Sequence, residues 1–197
     1  MLTHLTIANL ANHSYWNYLH YGKEFLVQDL WEYRVIIFPG TQNIEDWMVN
    51  LNMSLLVTPY KEEGYTGKVK LHQGFYKEYC SLRQDILKVA DTDKALIFGG
   101  HSKGGAIAQI AAVDVNYHTR STVKLVTFGS PACGNKAAAR SAQNRISHIT
   151  AYRNTFDLVP FLLLWNAHAS VPVLLRNFYF DPHHIKSYIS NLKKQAY

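Results

Sequence analysis

Short apolar runs alternate with stretches of helical spacing along most of the chain. Phe25-Leu26-Val27 and Tyr33-Arg34-Val35-Ile36-Ile37-Phe38 read as two strands joined by a tight connection around Asp29 to Glu32. From Gly74 to Ala90, the residues Phe75, Tyr79, Leu82, Ile86 and Leu87 recur at the spacing of a helix with one apolar face. Lys94-Ala95-Leu96-Ile97-Phe98 reads as a short buried strand ended by two glycines, and Lys103 to His118 follows as a helix. Val123 to Phe128 is a further strand, stopped by Gly129-Ser130-Pro131, and Asn135 to Gln143 is alanine-rich and helical. Strands from Ile146 to Tyr152 and from Val173 to Phe178, then a helix from Ile185 to Lys194, complete the pattern. Such alternation predicts an α/β chain, with a mostly parallel central sheet and helices on both faces.

Composition narrows the setting. The 197 residues, 48% of them hydrophobic and 17% charged, suit one globular domain over 1–197 that buries a core without staples, and they argue against disorder. The longest apolar run, Leu158 to Trp165, is interrupted by Pro160 and is far shorter than the ~20 residues of a membrane span, so no transmembrane segment is expected. Met1-Leu2-Thr3-His4-Leu5-Thr6 shows no basic cap and no small-residue cleavage pattern, which leans toward a cytoplasmic protein. A processed leader removed upstream is the alternative. Two cysteines make no disulfide framework, and Cys80, inside a helix, is expected as a buried reduced thiol.

The net charge of +6 raises the question of nucleic acid. Basic residues are scattered, and the one local cluster, Lys186 with Lys193-Lys194, fits a solvated terminal helix. No nucleic-acid partner is expected. A mild attraction to anionic lipid surfaces is, through peripheral contact.

The chemistry lies in Gly99-Gly100-His101-Ser102-Lys103-Gly104-Gly105. Gly-x-Ser-x-Gly is common by chance, but here it joins a short strand to a small-residue helix, the setting of a nucleophile elbow. The turn is sharp enough that side chains two residues either side of the serine would collide with neighbouring elements, and Gly100 and Gly104 remove them. Gly104, Ala108 and Ala112, four residues apart, give the helix a smooth face toward the sheet, and its N-terminus favours negative charge at Ser102. The expectation is an α/β-hydrolase fold with Ser102 as nucleophile.

A serine hydroxyl needs a histidine to take its proton and an acid to orient that histidine, and in this fold they follow in the order Ser, acid, His. After Ser102 the acids are Asp114, Asp157 and Asp181. Asp114 lies inside the helix behind the elbow, facing away from its tip. Asp157 closes the strand-to-loop segment before Leu158-Val159-Pro160 at the expected sheet edge, and is the choice. His183 and His184 precede the last helix and both stand as candidate bases, whereas His168, before the final strand, reads as structural. For the oxyanion, the amide of Lys103 follows the nucleophile directly, and Pro39-Gly40-Thr41 after a strand supplies the second donor through Thr41.

With these residues in hand, the chain resembles the class 3 lipases, the family of the fungal triacylglycerol lipases, over nearly its whole length. Asn12-His13-Ser14-Tyr15 is similar to the family's N-terminal segment, which places a tyrosine near the active site. Phe38-Pro39-Gly40-Thr41, followed by Asp46-Trp47 and Leu51, resembles the oxyanion loop and lid-region helix. Leu71-His72-Gln73-Gly74-Phe75, Phe128-Gly129-Ser130-Pro131 with Gly134-Asn135, and Asp157-Leu158-Val159-Pro160 match further motifs in order. The histidine pattern of the family, set on His183-His184-Ile185-Lys186-Ser187-Tyr188, favours His183 as base.

Departures from the family are Pro39 where arginine is usual, Lys103 where leucine is usual, and a short lid region over Gln42 to Asn50. The short lid brings soluble esters and monoacylglycerols into range. The resemblance implies a serine ester hydrolase acting on acylglycerols or similar lipid esters, with catalytic Ser102, Asp157 and His183 and an oxyanion hole at Thr41 and Lys103. It calls for no metal and no organic cofactor. Leu158, Val159, Phe161 and Leu162 are candidates to receive the acyl chain, and the Lys103 side chain, at the cleft rim, is a candidate selector of anionic substrates. Rival readings are a phospholipase, thioesterase or amidase with the same triad, or a non-catalytic binding protein of this fold.

Overall fold

The computed structural model describes residues 3–22, 24–41, 55–57, 68–119, 121–163, 167–176 and 180–195. The expected lid-region helix over 42–50 and the end of the last strand at Phe178 lie outside the described residues.

Helix α1 (His4–Tyr21) opens the chain and was not marked by the apolar pattern. Its buried face, Ile7, Ala8, Ala11 and Ser14, has helical spacing, but two alanines and a serine give it little apolar contrast, and Trp16, Tyr18, Leu19 and Tyr21 are exposed. Thr3 caps its N-terminus by accepting from the Thr6 amide, and Gly22 ends it in the left-handed region.

Strand β1 (Leu26–Leu30) turns at Trp31-Glu32 into β2 (Tyr33–Phe38), antiparallel to it. Asp29, read from sequence as part of the turn, stays in the strand. It lies opposite Arg34, whose guanidinium meets both carboxylate oxygens at 2.7 and 2.9 Å, a cross-strand pair that extends the ladder. Next come β3 (Leu55–Val57), β4 (Lys70–His72), α2 (Gln73–Ala90), β5 (Ala95–His101), α3 (Lys103–Thr119), β6 (Val123–Phe128), α4 (Lys136–Arg145), β7 (His148–Asn154), β8 (Val173–Leu175) and α5 (Ile185–Gln195). The main sheet runs β1-β2-β5-β6-β7-β8, parallel except for the first pair, while β3 and β4 form a separate antiparallel ribbon.

Alternation along the strands sorts the core into two layers. Ile36, Phe38, Leu96, Phe98 and Leu125 face α2, α3 and α4, while Val35, Ile37, Ile97, Val126 and Phe128 face α1 and α5. Phe38, Phe98 and Phe128 are wholly buried, and each contributes about 2 kcal/mol of transfer free energy. Helix α3 is buried from Gly104 to Ala108 and from Ile110 to Val115, as a central helix wedged between the sheet and α2 should be. Asp114 is buried behind it, where Tyr79 Oη (2.5 Å) and Arg83 Nε (2.8 Å) donate to its carboxylate. It therefore ties α2 to α3, far along the helix from its first turn.

Cys80 corrects the expectation of a buried thiol. It is exposed, because Phe75, Tyr79, Leu82 and Ile86 take the inner face of α2. Cys133 is the buried cysteine, and burial pushes its thiol up to about 12.

Candidate active site

Strand β5 continues through Gly99, Gly100 and His101 because its parallel ladders with β2 and β6 run on to that end. Ser102 follows at φ 55°, a left-handed conformation unusual for a serine, and α3 begins at the next residue. The strain is held by the Ser102 amide donating to the Phe128 carbonyl and by the Gly105 amide donating back to the Ser102 carbonyl, both at 2.9 Å. The flanking glycines are required sterically. A Cβ on Gly104 would lie 2.2 Å from the Phe38 carbonyl oxygen, and one on Gly100 would lie 2.4 Å from the Gly104 backbone.

After β7, the chain turns through Thr155-Phe156 and buries Asp157, which is 1% exposed. The His183 ring, on the loop before α5, lies against it, with Nδ1 at 3.0 and 2.9 Å from the two carboxylate oxygens. The Val159 amide donates to the same carboxylate at 3.0 Å, and the Tyr188 hydroxyl, from α5, donates to its Oδ2. Burial and the Asp157 charge hold the Tyr188 phenol well above its usual range, so it stays a donor. Gly129, at φ 58°, leaves the room for this arrangement, since a Cβ there would meet Asp157 Oδ2 and Tyr188 Oη, each at 2.8 Å.

His184 points elsewhere. It is exposed, and its Nδ1 accepts from the Lys186 amide at 3.1 Å. The His183 and His184 amides both lie 3.2 Å from Asp181 Oδ1, and Asn154 Nδ2 donates to the Pro182 carbonyl at 2.7 Å, so the loop is fixed on both sides. Ser102 Oγ and His183 Nε2 are both buried, and neither has a hydrogen-bond partner among the described residues. One is a hydroxyl, the other the imidazole nitrogen opposite the carboxylate-bound one.

Thr41 follows β2 and lines a cleft of about 380 Å³ with Tyr15, Leu19, His101, His183 and Ile185. It also lines a neighbouring cleft with Glu24, Glu78 and Lys103. The Lys103 ammonium is paired there with Glu78 at 2.6 Å. Of the residues expected to receive an acyl chain, Leu158 and Phe161 are exposed, Val159 is buried and Leu162 is partly buried, and none lines the cleft at His183. The apolar wall there is Leu19 and Ile185. His168 is held by its Nε2 donating to the Pro160 carbonyl at 2.8 Å. No group of three His, Cys, Asp or Glu among the described residues is arranged to hold a metal ion.

Sequence reasoning assigned no role to Tyr188, Gly129 or the His101 side chain. Tyr188 had one signal: it shares the apolar face of α5 with Ile185, Ile189 and Leu192, and a phenol buried on such a face needs a hydrogen-bond partner.

Comparison with known proteins agrees with this architecture. The family model described as Lipase (class 3) matches residues 35–167. A secreted mono- and diacylglycerol lipase of Penicillium cyclopium is 25% identical over 144 residues, which is 69% of this chain and 46% of that protein. A secreted mono- and diacylglycerol lipase of Malassezia restricta is 33% identical over 118 residues, 55% of this chain and 39% of that protein. The lipase of Rhizomucor miehei in its propeptide complex superposes with a TM-score of 0.70 at 21% identity, covering 87% of this chain and 67% of that one, and shares the α/β-hydrolase fold. The chain spans less than half the length of the two curated relatives. These relatives are named as secreted, which overturns the cytoplasmic expectation and points to the extracellular side. Of the N-terminal residues behind that expectation, Thr3 caps α1 and His4, Leu5 and Thr6 form its first turn.

Proposed function

The chain belongs to the class 3 lipases, and on that premise we propose that it is a secreted serine hydrolase of acylglycerols or similar lipid esters. The observation that carries the reading is the pairing of His183 Nδ1 with buried Asp157, with His183 Nε2 and Ser102 Oγ both buried and unpaired. Asp157 fixes the tautomer in which Nδ1 holds the proton and Nε2 is the base. Ser102 Oγ attacks the ester carbonyl carbon as His183 Nε2 takes its proton, and the amides of Thr41 and Lys103 hold the oxyanion. Collapse breaks the bond to the leaving alcohol, which receives the proton from His183. Water then attacks the acyl-enzyme, passes a proton to His183, and releases the acid as the proton returns to Ser102.

Contact with a lipid surface is part of the proposal. Phe156, Leu158 and Phe161 beside Asp157, and Phe180 just before the His183 loop, are exposed apolar side chains. They flank the two loops that carry the acid and the base. Selection of anionic substrates by Lys103 is not favoured, because Glu78 neutralises its charge.

Hydrolysis of p-nitrophenyl esters of graded chain length tests the reading, with fluorophosphonate labelling and Ser102→Ala as control. Turnover and labelling that vanish in Ser102→Ala are expected, with loss of about 1000-fold or more. No turnover and no labelling of the parent would leave a non-catalytic binding protein, and a preference for phospholipid, thioester or amide substrates would replace the substrate class.

A further inference from the structure

His101 stands next to Ser102 in the chain, is fully buried, and touches neither Asp157 nor the described bonds of Ser102. Its two ring nitrogens are nevertheless both engaged. Nε2 lies 2.6 Å from the backbone carbonyl oxygen of His183, and Nδ1 lies 2.6 Å from the hydroxyl of Tyr15 on α1. A carbonyl only accepts, so Nε2 carries the proton. Nδ1 then accepts, and the Tyr15 hydroxyl donates to it. The Tyr15 hydroxyl also packs against the backbone of Gly40, on the loop that carries Thr41, where a Cβ would lie 2.1 Å from the Tyr15 oxygen. One directed pair of hydrogen bonds therefore runs from Tyr15, seated against Gly40, through His101 to the His183 carbonyl.

We propose that His101 is a positioning residue, which locks the loop of the base and the oxyanion loop to the end of the strand that presents the nucleophile. The inference rests on the hydrolase reading above and deepens it. Ser102, His183 and Thr41 come from three loops with no covalent tie between them. The His183 ring is aligned against Asp157 at one end, but its backbone is fixed on the elbow side by His101. The contact is geometric as well as polar, since the His101 and His183 rings lie 4.6 Å apart between centroids. Burial suits the role. It holds the His101 imidazole neutral, and a protonated ring would lose the acceptor that Tyr15 requires.

Two substitutions separate the two bonds. In His101→Gln the side-chain amide extends as far as the imidazole Nε2 and can still donate to the His183 carbonyl. In His101→Asn the amide ends near the Nδ1 position, keeps an acceptor for Tyr15, and falls short of His183. On p-nitrophenyl butyrate, His101→Asn is expected to lower kcat by about 100-fold at nearly constant KM, the size of a misplacement near 1 Å. His101→Gln should recover at least tenfold of that loss, with fluorophosphonate labelling rates following kcat. Thermal melts of both variants show whether they are folded.

Equal losses in the two variants, or losses that track Tm rather than the reach of the donor, overturn the proposal. So does parent-like kcat in His101→Asn. Should that variant fail to fold, Tyr15→Phe takes its place, because the proposal requires a fall in kcat of about tenfold when the Tyr15 link is cut, with KM held. Parent-like kcat in Tyr15→Phe also overturns it. Absence of labelling in the parent protein itself defeats the hydrolase reading and the inference with it, whereas a labelled parent with equally labelled His101→Asn defeats the inference alone.

Discussion

The surroundings of His101 make stability depend on pH in the acid range. Burial, then the neighbouring charge of His183, hold its pKa well below the usual 6.5, and Tyr15, Tyr188 and His184 complete the groups around it. As pH falls below 6.5, the unfolded chain takes a proton at this position and the folded chain does not. Stability is therefore fully present above 6.5 and is lost as pH drops toward the folded value, by at most about 1.4 kcal/mol per pH unit for this one group. Urea unfolding of the parent and His101→Gln across the acid range should show a shallower decline in the variant. Parallel curves would mean that position 101 is not the source. The resemblance of Asn12-His13-Ser14-Tyr15 puts Tyr15 near the site, but the bonds of His101 are not legible from the sequence. Tyr15, His101 and His183 are separated by 86 and 82 residues, and no local pattern announces a bond across such distances.

At the scale of elements, the regular parts were read well where one physical signal dominated. β6 was placed at Val123–Phe128 and lies there, because a continuous apolar run bounded by a Gly-Ser-Pro stop has few other readings. α2 begins one residue earlier than expected, with His72 as its cap. β5 runs three residues beyond Phe98, since a glycine that looks like a stop can remain in a parallel ladder. α1 escapes the pattern because its buried face is largely alanine and serine while large apolar residues near its end are exposed. The elbow glycines were recognised by spacing, and the reason they are needed is contact between elements. Gly104→Val would drive a Cβ into the Phe38 carbonyl, a backbone atom that cannot swing aside. The end of β2 must then move away from α3. The expected cost is about 3 kcal/mol, read as a lower urea midpoint, with a fall in ester turnover because Thr41 moves with β2. A variant as stable as the parent would show that the strand end yields freely.

For the whole molecule, the loops of Asp157 and His183 open at one edge of the sheet, and Phe156, Leu158, Phe161 and Phe180 are exposed beside them. No described helix is long and apolar enough to cross a membrane; the lipid contact proposed above uses this edge and the +6 charge. Phe180→Ser combined with Leu158→Ser should weaken binding to anionic vesicles by about tenfold or more, and the remaining binding should fall with added salt. Rates on soluble p-nitrophenyl butyrate should change little, by about threefold at most, as exposed substitutions usually do. Vesicle sedimentation and soluble-ester assays on the same preparations decide it; unchanged vesicle binding would place the lipid contact elsewhere.

The pairing of β2 with β5 has a wider consequence. Phe38 lies opposite Gly100 in the parallel ladder, and the loop to Thr41 and the turn at Ser102 both leave from that level. The separation of their starting points is thus a lattice constant of the sheet, about 4.8 Å between neighbouring strands, and no side chain has to maintain it. The loops beyond can lengthen, shorten or change polarity over evolutionary time while that ruler stays put. Substrate range in such a scaffold can drift quickly, and the reacting geometry cannot.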